Sequence, residues 1–162
     1  RLVSRWSLRF TVRSETKEAW TLRLRIPGWC AGEPAVSLKG EPVTPEKRDG
    51  YLEIRRVWGT ENQLDVFYPS RIVFVPLNGA EELVCAVDGP IVLAGLTEHD
   101  AGLRGDLSHP ERLLLPDQAH TYGAFVWTQN EYLTRGQDSN FRMVPLYEVQ
   151  DEPYTVYFTR KA

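Results

Sequence analysis

The sequence is poor in the residues that mark most catalytic, metal-bound or membrane-inserted modules. Its 162 residues include two cysteines, three histidines and a single methionine, Met143. Cys30 and Cys85 lie far apart, in no CxxC pair and beside no histidine. Two such thiols do not make the disulfide framework of a small secreted domain, and they leave the compartment unassigned. No apolar run approaches the roughly 18–20 residues of a membrane-spanning helix, and no charged-then-apolar leader opens the chain. Nineteen basic and 22 acidic residues are interspersed for a net charge of -3, so no basic block suits nucleic acid. Walker loops, dinucleotide fingerprints, nucleophile elbows and HExxH are all missing. Helical periodicity is missing too.

What is present is apolar and aromatic. Hydrophobic residues make up 42% and aromatics 11%, enough for a sizeable core and against disorder. The length suits one domain or two small ones. The chain opens at Arg1, already on the approach to a strand, which reads as a fragment of a longer protein.

The apolar residues fall at every second position. In "SLRFTVRS", Leu8, Phe10 and Val12 share one face, opposite Arg9, Thr11 and Arg13. In "WTLRLRIPGWC", Trp20, Leu22, Leu24 and Ile26 point one way, while Thr21, Arg23 and Arg25 point the other. "AVSLKGEPV" reads as two short strands around Lys39-Gly40, and Asp49-Gly50 opens "YLEIRRVW". "NQLDVFYPS" follows a turn near Gly59. Short strands punctuated by turn residues at roughly ten-residue spacing predict an all-β protein, an antiparallel β-sandwich of jelly-roll type.

Further on, "RIVFVPL", "ELVCAV" and "PIVLAGL" are nearly continuous apolar runs, the pattern of strands covered on both faces, so this stretch reads either as an inner sheet or as a surface that another part of the protein covers. Residues 97–120 read as a long loop. Strands resume in "AFVWT" (124–128), "FRMVPLY" (141–147) and "YTVYFT" (154–159), the last with Tyr154, Val156 and Phe158 on one face. The domain reading is therefore a β-sandwich over 1–96, followed over 97–162 by a long loop and a smaller C-terminal β-region.

Each candidate for chemistry meets a plainer alternative. Arg9, Arg13, Arg23 and Arg25, on two strands expected to be neighbours, could bind anions through their guanidinium forks. Acidic cross-strand partners such as Glu53 or Asp65 would instead make them a solvated sheet face. Cys85 reads as a buried small hydrophobe, and Cys30 has no histidine to activate it. His99, His109 and His120 share a loop with Asp100, Asp106 and Asp117, but their spacing is unlike compact zinc ligand pairs. Glu81-Glu82 and Asp151-Glu152 are adjacent residues and cannot oppose each other across a glycosidic bond. Trp6, Trp20 and Trp58 fall in strand patterns as core, whereas Tyr122, Trp127 and Tyr132 flank the loop as candidates for stacking on a sugar ring. No catalytic, cofactor-binding or metal-ligating residue is assigned.

Taken in order, "TLRLRIPGWC", "GYLEIRRVWGTENQLDVFYP" and "DGPIVLAGL" resemble the β-sandwich region that follows the catalytic barrel in glycoside hydrolase families 127 and 146, the β-L-arabinofuranosidase-type enzymes. The family's V-N-G hairpin reads Leu38-Lys39-Gly40 here, a departure at the Asn position. The tail "FRMVPLYEVQDEPYTVYF" resembles the closing segment of members with a further C-terminal β-region. The resemblance implies an (α/α)6 catalytic barrel elsewhere, holding zinc through a glutamate and cysteines, one of them the nucleophile. The family's adjacent Cys-Cys pair has no counterpart in this chain, so no catalytic residue carries over and no cofactor is expected in it. It implies a non-catalytic accessory role with the barrel as partner. An independent carbohydrate-binding module taking arabinose-containing glycans and a self-associating interaction domain are the rivals. Neither nucleic acid nor a membrane is an expected partner, and localisation is unassigned.

Overall fold

The computed structural model describes residues 3–98, 101–117 and 130–161, and of Val3, Ser4 and Arg5 the backbone alone. The fold is all-β, as the period-two pattern predicts. It divides into two compact units, one spanning Val3–Arg71 and the other beginning at Ile72.

The first unit is a two-layer antiparallel sandwich. One layer runs β1 (Val3–Val12), β7 (Asn62–Leu77), β3 (Ala35–Leu38), β4 (Glu41–Val43). The other runs β2 (Ala19–Arg25), β6 (Tyr51–Val57), β5 (Glu46–Arg48). Both hairpin turns expected from the sequence form as type I′ turns. Lys39 and Gly40 have φ of 51° and 87°, and Asp49 and Gly50 have φ of 50° and 78°. Two successive left-handed residues match the twist of the strands they join.

The core takes alternate side chains from both layers: Leu24 and Leu52 from one, Val36, Leu38, Leu64, Val66 and Tyr68 from the other. Trp58 is wholly buried among them, with Trp6, Phe10, Trp20, Leu22 and Ile26 packed around the edge. Its indole N–H donates to the Trp20 carbonyl at 3.1 Å, and the Tyr68 hydroxyl donates to the Arg25 carbonyl at 3.0 Å. Both polar tips are satisfied inside an apolar layer. The one inward-read residue left outside is Leu8, which is exposed.

"NQLDVFYPS" and "RIVFVPL", read as separate strands, are one 16-residue strand, β7. Burial alternates without a break from Asn62 to Ile72. Pro69 does not end it. Pairing with β3 stops at Phe67, so the missing N–H of Pro69 faces past the end of β3 and forfeits no ladder bond. The Pro69 carbonyl on that side accepts from Ala31 N–H at 2.8 Å instead.

In the second unit Ile72–Leu77 of β7 pairs with β8 (Ala80–Asp88), followed by β9 (Ile91–Leu96), β13 (Arg142–Pro145), β12 (Tyr132–Thr134) and β11 (Leu114–Pro116). β8 and β9 pair only near their shared turn. Past it, β14 (Tyr154–Thr155) pairs with β9 and β15 (Phe158–Lys161) pairs with β8. β10 (Gly102–Arg104) lies parallel to β15, and a one-turn helix, α1 (Pro110–Leu113), leads into β11.

In the apolar runs Ile72, Val84, Ala86 and Leu93 are buried, whereas Val73, Cys85, Val87 and Val92 are half-buried and Val75 is exposed, so within this chain one face is the better covered. Two expectations are corrected here. The long loop contains β10, α1 and β11, because Leu103, Leu113 and Leu114 are core residues. The closing strand is broken, since Thr155 Oγ accepts from Tyr157 N–H at 3.3 Å and donates to the Tyr157 carbonyl at 2.9 Å. That local turn leaves Tyr154 exposed and Phe158 buried, so they do not share a face. The expected strand "AFVWT" lies outside the described residues.

Phe158 stacks on Phe141 with ring centroids 5.7 Å apart. Both rings lie against Gly95, where an added Cβ would come within 2.7 Å of Phe158 and 2.8 Å of Phe141.

Two sets of variants test this packing by chemical denaturation. Leu24→Asp places an unpaired charge in the sandwich core and should cost at least about 3 kcal/mol. Arg23→Ala on the opposite face should cost about 1 kcal/mol or less, because the guanidinium is about half exposed and water can take its place at Glu53. The reverse ranking would mean the faces are inverted. Gly95→Ala should cost about 1–3 kcal/mol through overpacking; an unchanged midpoint would show that the two rings are free to separate.

Candidate functional site

The arginines singled out in the sequence do not form one face. β1 pairs with β7, whereas β2 pairs with β6 in the other layer, so the two strands are not neighbours. On β1, Arg9 donates through Nε to Asp65 at 2.6 Å and through Nη2 at 3.3 Å, across a direct cross-strand register. This hydrogen bond is the main cause of the raised Arg9 pKa. Arg13 sits 3.7 Å from Glu61. On β2, Arg23 pairs with Glu53 at 2.8 Å and lies 4.4 Å from the centroid of the Tyr51 ring. Asp65 and Glu53 are the partners that the plainer reading names, and here that reading holds.

The register of the β2–β6–β5 layer adds two arginines that the sequence reading did not include. Arg55 stands opposite Thr21, Glu53 lies between Arg23 and Glu46, and Tyr51 lies between Arg25 and Arg48. The signal for them was available: Tyr51, Glu53 and Arg55 alternate in "YLEIRRVW", and the Asp49-Gly50 turn sets Arg48 against Tyr51. This outer face borders a groove of about 430 Å³ lined by Thr21, Thr44, Glu46, Arg48, Glu53 and Arg55.

The remaining candidates are engaged structurally. Both thiols are free. Cys30 Sγ donates to the Gly32 carbonyl at 3.2 Å, and burial, then Cys30, raise the Tyr68 hydroxyl pKa. Cys85, expected to be buried, is half-buried on the outer side of β8 opposite Val75. Asp106, Ser108 and His109 form a local knot ahead of α1. Ser108 Oγ donates to Asp106 Oδ1 at 2.5 Å, and His109 Nδ1 lies 2.7 Å from Asp106 Oδ2. Both partners address the same imidazole nitrogen or the same carboxylate, within four residues, so this is turn chemistry rather than a relay with a free nucleophile. Hydrogen bonds from Ser108, then His109, hold the Asp106 carboxyl down at about 2.

Asp117 is likewise no lone loop acid. Arg142 donates to it at 2.8 Å and to the buried Glu131 at 2.6 Å. Tyr132, a stacking candidate, is 6% exposed and donates its hydroxyl to the wholly buried Asp88 at 2.7 Å. Burial, with Asp88 beside it, raises its pKa far above the usual tyrosine range. A sugar cannot reach its ring. Glu81 and Glu82 are exposed at the start of β8, and Glu152 Oε2 accepts from Gln150 N–H at 3.0 Å. His99, Asp100, His120, Tyr122 and Trp127 lie outside the described residues. Among the described residues no three His, Cys, Asp or Glu side chains converge to hold a metal.

A family model described as the middle domain of GH127 β-L-arabinofuranosidases matches residues 3–70. The match coincides with the first compact unit to within one residue. It names a middle domain, where the sequence resemblance suggested a C-terminal region. Among solved structures, a GH127 β-L-arabinofuranosidase from Geobacillus stearothermophilus T6 shares the fold over 96% of this chain with TM-score 0.61 and 23% identity. A protein described as a glycoside hydrolase does so over 96% with TM-score 0.60 and 16% identity. A further GH127 β-arabinofuranosidase covers 96% with TM-score 0.55 and 19% identity. This chain spans 28% of the first of these structures and 30% of the other two. No curated protein matches the sequence.

The Asp106 knot yields a titration test. A carboxyl held below its ordinary 3.8 contributes fully above that pH, and the contribution is lost as pH falls through about 2. Carbon-detected NMR should therefore place the Asp106 midpoint near 2, and Ser108→Ala should move it up further than His109→Ala does. An Asp106 midpoint at the ordinary value would show that the knot does not form in solution.

Proposed function

We propose that this chain is a non-catalytic β-region of a larger glycoside hydrolase of the β-L-arabinofuranosidase type, buttressing a catalytic barrel that lies outside it. The coincidence between the GH127 middle-domain match and the sandwich unit carries this reading. The site chemistry agrees with it. Arg9, Arg23 and Arg142 are held by cross-strand and buried carboxylates, and no two described carboxylates are seen opposed across an open cleft as glycosidic acid/base work requires. In such an enzyme the barrel's cysteines and glutamate would hold the zinc, which would supply Lewis acidity and keep a cysteine as thiolate; this chain's residues hold the scaffold.

A second observation supports a covered surface. In the unit beginning at Ile72, Leu115 and Leu133 face each other across β11 and β12 and are about 40% exposed. Val75, Tyr147, Tyr154 and Tyr157 are exposed as well. The Leu115–Leu133 pair with these exposed side chains is what supports reading this as a surface covered in the larger protein.

Purified chain should give no turnover of an aryl β-L-arabinofuranoside. It should also associate in a concentration-dependent way by sedimentation, through the uncovered apolar side chains. Turnover abolished by Cys30→Ala would overturn the non-catalytic reading. A monomer at every concentration would argue against a covered surface and for an independent module.

A further inference from the structure

The outer face of β2–β6–β5 carries four arginines, Arg23, Arg25, Arg48 and Arg55, against Glu46 and Glu53, within a chain whose overall charge is -3. Only Arg23 is committed at short range, to Glu53 and the Tyr51 ring. Arg48 lies 3.8 Å from the exposed Asp49. Arg25 and Arg55 have no ion pair among the described residues. Even with Asp49 counted, cations outnumber anions on this face, the reverse of the chain as a whole.

We propose that the groove over this face binds the carboxylate of an acidic sugar, a uronic-acid residue of a glycan. Three features select that chemistry. Guanidinium groups present a planar fork of donors that matches a carboxylate, and Arg48 and Arg55 flank the same groove. Thr21, Thr44, Glu46 and Glu53 line it alongside them, residue types that suit ring hydroxyls as donors and acceptors, and Glu53 is already taken by Arg23 from outside the groove. Glu46 stands directly opposite Glu53, and this pair disfavours a phosphate-rich polyanion while leaving room for a singly charged, hydroxyl-bearing ligand. A volume of about 430 Å³ lies within the range of small-molecule sites. The inference rests on the reading above that this chain belongs to a larger glycoside hydrolase, and adds to the buttressing role a direct contact with a charged sugar.

Isothermal titration of the chain with trigalacturonate, its methyl ester, arabinotriose, triglutamate and inorganic phosphate separates the outcomes. Trigalacturonate should bind, and the ester at least about tenfold more weakly, since esterification removes the charge-assisted hydrogen bonds. Arg55→Gln and Arg48→Gln should each weaken binding by about tenfold, and Arg9→Gln, in the other layer, should leave it unchanged. Raising salt should weaken it further. Equal binding of acid and ester, or no effect of Arg55→Gln and Arg48→Gln, would overturn the site. Binding of arabinotriose alone would overturn the carboxylate while keeping the glycan role. Binding of phosphate or triglutamate as tightly as trigalacturonate would reduce the face to a general anion patch and overturn sugar recognition. No binding by any ligand overturns the proposal outright, whereas the turnover assay above is indifferent to it.

Discussion

Burying one side chain in every two is the constraint on which the rest of this protein depends. In a two-layer sandwich each strand contributes alternate residues to the core, and the others are committed to the outside by the pleat. Leu24 and Leu52 meet Leu64 and Val66 across the first unit only because Arg23, Arg25, Tyr51 and Glu53 point away. A one-residue slip in β2 or β6 would bring guanidinium groups into the layer that holds Trp58. The two type I′ turns at Lys39-Gly40 and Asp49-Gly50 fix the register against that slip. Each then dictates which outer residues become neighbours.

The outer faces follow from this register. Arg9 reaches Asp65, and Arg23 reaches Glu53, because the ladder sets each pair directly opposite. Such exposed pairs contribute little stability individually. Their value lies in specificity, since like charges in a slipped register would oppose each other. The Arg142 triad is different: with Glu131 buried, removing the guanidinium would strand a carboxylate, a loss of about 3–5 kcal/mol.

Sequence patterning revealed most strands of the sandwich unit, because there the period is strict and the turns carry Gly beside Lys or Asp, but it left out β5 and opened β1 late. It failed where the deciding partner is remote. Pro69 looks like a strand end in isolation, and only the short reach of β3 makes it harmless inside β7. Tyr132 looks like a surface aromatic beside a loop, and only Asp88, 44 positions earlier, explains its burial. Residues 97–117 are polar and turn-rich, yet β10 is held by parallel pairing to the last strand of the chain. Thr155 interrupts the final strand through two hydrogen bonds invisible to a period-two template. Of the candidate site, the arginines of β2 were read, while their companions, legible in the alternation of "YLEIRRVW" and the Asp49-Gly50 turn, depended on a pairing of β2 with β6 that the period alone does not give. The sequence suggested Arg9 and Arg13, whereas the register supplies Arg48 and Arg55.

That exchange of neighbours bears on what a scaffold of this kind can do. A sandwich whose polar residues are all committed to cross-strand pairs offers a ligand nothing, because each contact would first have to break an existing one. On the β1–β7 face Arg9 is committed in this way through two hydrogen bonds to Asp65. On the β2–β6–β5 face the arginines exceed the carboxylates, and the surplus projects beside a groove rather than into a core. Fold stability does not require that surplus, since the apolar side chains on the other side of the same strands already hold the layer. Residues on this face are therefore free to vary while the inward pattern stays fixed, so chemistry on the outside of the layer is separable from the stability of the fold.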